Sequence, residues 1–260
     1  MSRILFACDL DNTLIYSWKH RREGDICVEW IDGKEQGYMP SEVVGLLQRV
    51  RQLVEFVPVT TRSIAQYQRI VWPEGCRPQY AITTHGANML IDGNIDQKWE
   101  TQIKKITVAA VEPLSCIVRE LEETGEYLRC RLVDQAYAFV YCKNDNRSVK
   151  IAMNYPLPEG INRIKSGKKI YFIPNGIDKG SAILRFRNER GFDATICAGD
   201  SEMDIPMLQI GNISFVPKTF GECEAKTINI HVCGREEFAI ETLSYIEDIA
   251  KDGLPQRDNQ

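Results

Sequence analysis

Asp9 and Asp11 stand either side of one leucine in RILFACDLDNTLIYS, at the end of an apolar run and with Thr13 two places on. In a strand the two side chains would share a face a few ångströms apart, where carboxylates repel unless water or a cation compensates them. GDSEMD places Asp200 and Asp204 at the end of another apolar run. Three or four hard oxygen ligands with room for water suit Mg²⁺, which commonly bridges protein and phosphate. Lys179 opens a helix in GIDKGS, and VTTRS offers Thr60, Thr61 and Arg62 beside free backbone amides. Cations, hydroxyls and helix-start amides bind anions. Carboxylates, a metal and an anion cradle together describe phosphoryl transfer.

Positioning these groups requires strands whose ends converge. Three apolar runs finish in polar clusters: RILFACD (3–9), VEFVPVTTRS (54–63) and ATICAGDSEMD (194–204). Such runs suit strands buried on both faces of a parallel sheet. Between them lie helical patterns. SEVVGLLQRVRQL has Ser41 as its expected N-cap, and KGSAILRFRNERG ends on Gly191, an expected C-cap. The pattern predicts a doubly wound, Rossmann-like parallel α/β core, with ligands bound beyond the carboxyl ends of its strands.

Residues 94–168 differ in texture. A helix over 108–125 precedes two strand-like runs, YLRCRLVD and AYAFVYC, turning near residue 135. A polar stretch expected to be helical (145–154) and INRIKSGKKIYFIP, a hairpin turning at Ser166-Gly167, complete an inserted α+β module. The expected division is a core of 1–93 and 169–260 with a cap of 94–168. A smaller insertion, ICVEWIDGKEQGYM (26–39), alternates about a DGK turn and predicts a β-hairpin flap. The polar tail KDGLPQRDNQ is expected to fray.

The chain has 260 residues and a net charge of −4, which argues against nucleic acid or an anionic membrane as a main partner. No apolar run is long enough to span a bilayer, and the first residues lack the pattern of a signal peptide, so the cytoplasm is the expected compartment. Nine cysteines without a CxxC pair read as reduced thiols, with Cys8 and Cys197 as core residues; three separated histidines offer no zinc site.

In order and spacing, DLDNT (Asp9 to Thr13), Thr60 in VTTRS, Lys179 in DKGSAI and GDSEMDIPML (Gly199 to Leu208) resemble the motifs of the haloacid dehalogenase superfamily of phosphatases and phosphotransferases. The position of residues 94–168 resembles a C2-type cap. YAITTHGANMLIDG is similar to the approach to that cap in Cof-type sugar phosphatases, and TTRSIAQY to the matching motif of sucrose-phosphate phosphatases. The resemblance implies that Asp9 is the nucleophile forming an aspartyl-phosphate. Asp11, with a pKa raised by neighbouring carboxylates, is implied as the acid and base. Asp9, the backbone carbonyl of Asp11 and Asp200 are implied to hold Mg²⁺, with Asp204 in support, while Thr60, Thr61 and Lys179 bind the phosphoryl group. Asn12, Thr61, His85 and Met203 depart from the residues usual at their positions. The implied substrate is a small soluble phosphoester, with sugar phosphates leading. His20 and Arg22 from the flap, Arg129, Arg131 and Lys150 from the cap, and Arg62 and His85 are its candidate contacts. A sugar phosphomutase and a non-catalytic phospholigand sensor are the alternatives, and the assembly is expected to be a monomer or homodimer.

Overall fold

A computed structural model describes residues 3–143, 146–220, 230–234 and 237–252; the polar tail beyond them lies outside that range. From the amino terminus, β1 (Ile4–Cys8) is followed by a flap of β2 (Tyr16–Ser17), β3 (Ile26–Ile31) and β4 (Lys34–Met39), then by α1 (Ser41–Val50), β5 (Glu55–Pro58) and α2 (Ile64–Tyr67). An antiparallel trio, β6 (Tyr80–Thr83), β7 (Asn88–Ile91) and β8 (Asn94–Ile95), leads into α3 (Gln97–Thr107). The inserted module contains α4 (Val111–Glu123), β9 (Tyr127–Val133), β10 (Tyr137–Cys142), α5 (Asn146–Asn154), β11 (Ile161–Ser166) and β12 (Lys169–Pro174). The core resumes with α6 (Lys179–Arg190), β13 (Ala194–Ala198), α7 (Ile205–Ile210), β14 (Ile213–Pro217), β15 (Ile230–Cys233) and α8 (Phe238–Asp252).

The core sheet is parallel, in the order β15-β14-β13-β1-β5. Every residue of β1, β13 and β14 is buried, because helices cover both faces. Ile4, Phe6 and Cys8 pack with Val43, Leu47 and Leu243 of α1 and α8, while Leu5 and Ala7 face Ile183, Phe186 and Met207 of α6 and α7. Between β1 and β13 the strand order reverses its direction of growth, and there the polar strand ends converge.

Local signals hold with one adjustment. The flap turns at Asp32-Gly33, both at positive φ, as a two-residue hairpin requires. Gly191 caps α6 in the left-handed conformation. Pro40 occupies the N-cap of α1, so Ser41 is its first helical residue and supplies no side-chain cap.

The cap sheet is antiparallel, in the order β11-β12-β10-β9. Its residues Ala138, Val140, Ile170 and Phe172 pack on Leu114, Ile117 and Leu121 of α4 and Ala152 of α5. The expected limits of 94 and 168 do not follow this sheet. Asn94–Ile95 pairs with β7, and α3 sinks Trp99 and Ile103 into the core. Lys169–Pro174 pairs with β10 and β11 and is a cap strand. The hairpin expected over INRIKSGKKIYFIP is present, and its second strand is buried on both sides, as a core strand is: Ile170 and Phe172 lie under the cap helices, and Tyr171 and Ile173 lie against the core.

The helices that carry the polar strand ends touch closely. A Cβ at Gly180 would lie 2.3 Å from the carbonyl oxygen of Pro206, so α6 and α7 approach only with glycine there. Gly180→Ala is expected to lower stability by about 1–3 kcal/mol, read from the denaturant midpoint at unchanged slope.

Candidate active site

β1 ends at Cys8, and the next residues form a tight turn in which the amides of Thr13, Leu14 and Ile15 all donate to the carbonyl of Leu10. Asn12 adopts a left-handed conformation (φ +60°) within it, which asparagine tolerates better than most residues. The turn sends the two carboxylates to different partners. Asp9 is buried, and its Oδ1 accepts from Lys179 Nζ at 2.5 Å. Asp11 has its side chain half exposed and accepts two bonds from Arg62, at 3.0 Å from Nε and 2.8 Å from a terminal nitrogen.

Lys179 is 1% exposed and also donates to Asp204 Oδ1 at 2.5 Å. Asp178 caps the start of α6 by accepting from the Ser181 amide, which sets the lysine on the first turn of that helix. Asp204 is saturated: its Oδ2 accepts from the amides of Asp200 and Ser201 and from the Ser201 hydroxyl. Gly199 makes this possible, since a Cβ there would sit 2.4 Å from Cβ of Asp204. Asp204 therefore positions Lys179 and the GDSEMD loop.

One carboxylate oxygen each from Asp9, Asp200 and Asp204 lie within 4.8 Å of one another. This is a hard-oxygen donor set of the kind a small divalent cation takes. Asp11 is not among these three, because its carboxylate is bonded to Arg62. Burial, reinforced by Asp204, pushes Asp200 up to about 7, against the bond from Asn12 Nδ2 at 3.3 Å. Burial also raises Asp9, more than Lys179 lowers it. For Asp11 burial acts upward, but the charge and hydrogen bonds of Arg62 outweigh it and hold the carboxyl below its ordinary value. The expected raised pKa of Asp11 is thus corrected: its controlling neighbour is a guanidinium, not a carboxylate.

Arg62 extends the network. A terminal nitrogen lies 3.0 Å from Glu29 on the flap strand β3, and Glu29 also binds Arg69 at 2.9 Å. Glu29 is buried, so the flap is joined to the site by a desolvated ion pair. Sequence reasoning missed Glu29 and Arg69. An acidic residue inside VEWI is the one signal, and its partners lie 33 and 40 positions away.

Core, flap and cap enclose a cleft of about 1000 Å³. Asp9, Asp11, Thr61, Arg62, Lys179 and Asp200 line it, as do Arg129 and Arg131 from the cap. Thr60 is fully buried and does not line the cleft; its hydroxyl accepts from the Arg62 amide at 3.1 Å and shapes the loop, leaving Thr61 to face inward. His85 is a second correction. It sits in the turn between β6 and β7 at φ +57°, is 1% exposed, and is driven down to about 3 by burial and by Lys179. It stands neutral near the lysine, with both ring nitrogens buried and without a hydrogen-bond partner among the described residues. His20 and Arg22 stand exposed on the outer part of the flap, and Lys150 is exposed on α5, on the helical side of the cap sheet. None of the three lines the cleft.

Three bonds hold the cap against the core: Tyr137 donates its hydroxyl to the Thr61 carbonyl at 2.6 Å, and Asp134 accepts from Thr84 at 2.5 Å and from the Ile64 amide at 3.0 Å. Lys168 and Lys169, in the turn of the last cap hairpin, also line the cleft and were not among the expected contacts.

No family model and no curated protein matches the sequence. Solved structures do match. A haloacid dehalogenase-like hydrolase from B. subtilis superposes with a TM-score of 0.67 at 13% identity, over 96% of this chain and 99% of that one. The sucrose-phosphatase of Synechocystis, solved with sucrose and phosphate, gives 0.64 at 13% identity over 95% and 98%. The chain has the haloacid dehalogenase fold. The C-terminal domain of a C. albicans trehalose-6-phosphate phosphatase shares that fold too, with a TM-score of 0.61 at 14% identity over 95% and 92%. These matches span this chain and its counterparts almost from end to end. No helix among the described residues is long and apolar enough to cross a membrane.

Two outcomes are expected. In EDTA, Asp200 keeps its proton in the folded state up to about pH 7, while the unfolded chain releases it near 4. Stability should therefore fall as pH rises across that window, and Asp200→Asn should flatten the fall, measured by melting temperature against pH. Glu29→Ala leaves Arg62 with Asp11 alone and Arg69 without its partner, and should cost about 1–3 kcal/mol of stability in urea titration.

Proposed function

We propose that the protein is a Mg²⁺-dependent phosphomonoester hydrolase acting on a small soluble phosphometabolite, with sugar phosphates as the leading class. The observation that carries this reading is the shared lysine: Lys179 bridges Asp9 and Asp204 at the strand switch point, with Asp200 in the same carboxylate group, at the floor of a capped cleft. The sucrose-phosphatase and trehalose-6-phosphate phosphatase that share the fold support a sugar phosphate as substrate.

Asp9 and Asp200, with the backbone carbonyl of Asp11, would hold the Mg²⁺, while Asp204 keeps Lys179 and the loop in place. The bound ion would supply positive charge that keeps Asp9 ionised and offsets the phosphoryl oxygens. Asp9 attacks phosphorus through the oxygen that Lys179 leaves free, and the ester P–O bond breaks. Asp11 gives its proton to the departing alkoxide. It then takes a proton from the water that attacks the aspartyl-phosphate, whose P–O bond to Asp9 breaks to release phosphate and restore the carboxylate. Thr61, Lys179 and the amides of the 60–62 loop bind the phosphoryl oxygens. Asp11 can carry a proton only when Arg62 lets go of it, and an incoming phosphoryl group offers that guanidinium a competing anion. The cap then shuts water out except at the attacking position.

The test is phosphate release from sugar phosphates, nucleotides and para-nitrophenyl phosphate, with Mg²⁺ or with EDTA. EDTA should abolish turnover, and Asp9→Asn should lower it by at least about 10³-fold. Turnover that survives in Asp9→Asn would reject the aspartyl-phosphate, and a sugar bisphosphate accumulating in place of phosphate would indicate transfer instead of hydrolysis. Arg62→Ala should lower kcat/KM and move its alkaline limb to higher pH, because Asp11 then holds its proton longer.

A further inference from the structure

The cap face that looks into the cleft is cationic. Strand alternation puts Arg129 and Arg131 of β9, Phe139 and Tyr141 of β10 and Lys169 of β12 on one side of the sheet, opposite the side packed on α4 and α5. Phe139 is paired with Arg131 and Tyr141 with Arg129, and Tyr141 is paired on its other side with Lys169. Lys168 joins them from the adjacent turn. Arg129, Arg131, Lys168 and Lys169 are exposed, and none forms an ion pair among the described residues. The one carboxylate on the cap side of the cleft, Asp134, is bonded to Thr84 and the Ile64 amide. On the floor, Asp9 is bonded to Lys179, Asp11 and Glu29 to arginines and Asp200 to Asn12, while Glu202, at the rim, has no ion pair among the described residues.

A neutral sugar offers hydroxyls, which donate as well as accept, so a wall built for it needs carboxylates or amides beside its cations. This wall has four cations and two aromatic rings. Desolvation inside the cleft lowers Lys169 and Asp11 raises it, but Arg129 and Arg62 both oppose its charge, so an anion placed between Lys169 and Arg129 would relieve their mutual repulsion.

Register sets the spacing. Tyr171 faces the reacting end, where Asp9, Asp11 and Lys179 all act on its hydroxyl. Lys169 is two residues along β12 from it, about 7 Å at the rise of a strand.

We propose that the cleft takes a phosphoester carrying a second anionic group, phosphate or carboxylate, about one sugar length from the reacting phosphoryl group and held by Arg129, Arg131 and Lys169. The proposal rests on the phosphatase reading and narrows it to doubly anionic substrates. Phe139 and Tyr141 supply the apolar surface against which the carbon frame lies.

The experiment compares three probes that share one phosphate ester: glucose 6-phosphate, 6-phosphogluconate with its carboxylate, and glucose 1,6-bisphosphate. A charge-assisted bond to an arginine is worth roughly tenfold. The wild-type protein with Mg²⁺ should therefore show kcat/KM at least about tenfold higher for one of the doubly anionic probes, and which one leads separates carboxylate from phosphate. Arg129→Ala and Lys169→Ala should each bring the ratio toward one, and Arg129→Lys should keep part of it. Melting curves check that each variant folds, with Arg129→Gln and Lys169→Gln replacing any alanine variant that does not. A ratio near one in the wild type, or a preference unchanged in every variant, would overturn the proposal. If no probe is hydrolysed, the wider panel above decides the phosphatase reading, and calorimetric binding of the same three probes decides the site by itself. Tighter binding of a doubly anionic probe that the variants lose would uphold it, and equal binding of all three would overturn it.

Discussion

A buried ammonium group holds the site together. Lys179 is enclosed by protein and shared between Asp9 and Asp204, and each partner raises the free energy of losing its proton. Desolvating one ammonium and two carboxylates costs several kcal/mol per ion, and only close, well-directed contacts offset that. The surrounding chain is arranged to give them. Asp178 caps the helix that starts with the lysine, Gly180 lets that helix press on α7, and Gly199 lets the loop close over Asp204. Removing Asp9 or Asp204 would take a partner from the buried lysine.

A second ionic chain runs from the site to the flap. Asp11, Arg62, Glu29 and Arg69 alternate in sign and come from the first turn, the loop after β5, the flap and the segment following α2. Arg62 is the shared member. Its remaining terminal nitrogen is buried without a hydrogen-bond partner, so its guanidinium has unspent donor capacity next to the cleft. The flap thus contributes charge as well as a wall, and it holds Asp11 in a state that substrate must disturb.

The cap shows how one sheet serves two environments. The period of two along β9, β10 and β12 sends small and aliphatic side chains to the helices and long cationic or aromatic ones to the cleft. Tyr137 and Asp134, at the turn between β9 and β10, bind the core directly, so the same hairpin that presents the cations also fixes their distance from the floor.

Much of this was legible in the order of residues. Buried parallel strands announce themselves as apolar runs, and polar residues at their carboxyl ends mark the ligand side, so Asp9, Lys179, Asp200 and Asp204 could be named and the core and flap drawn. Period-two alternation foretold the cap strands. Tertiary structure alone decided the partners. Whether Asp11 meets a carboxylate or a guanidinium depends on a loop 51 residues away, and whether Glu29 is a surface charge or a buried anchor depends on where the flap folds. His85 and Thr60 carry residue types suited to binding, yet burial withdrew them from the cleft. The cap boundary also escaped, because a strand buried on both faces reads alike whether its neighbours are core helices or cap helices. Composition and spacing record which groups a chain can bring to a strand end, whereas charge pairing acts through space and is set only when the chain has closed.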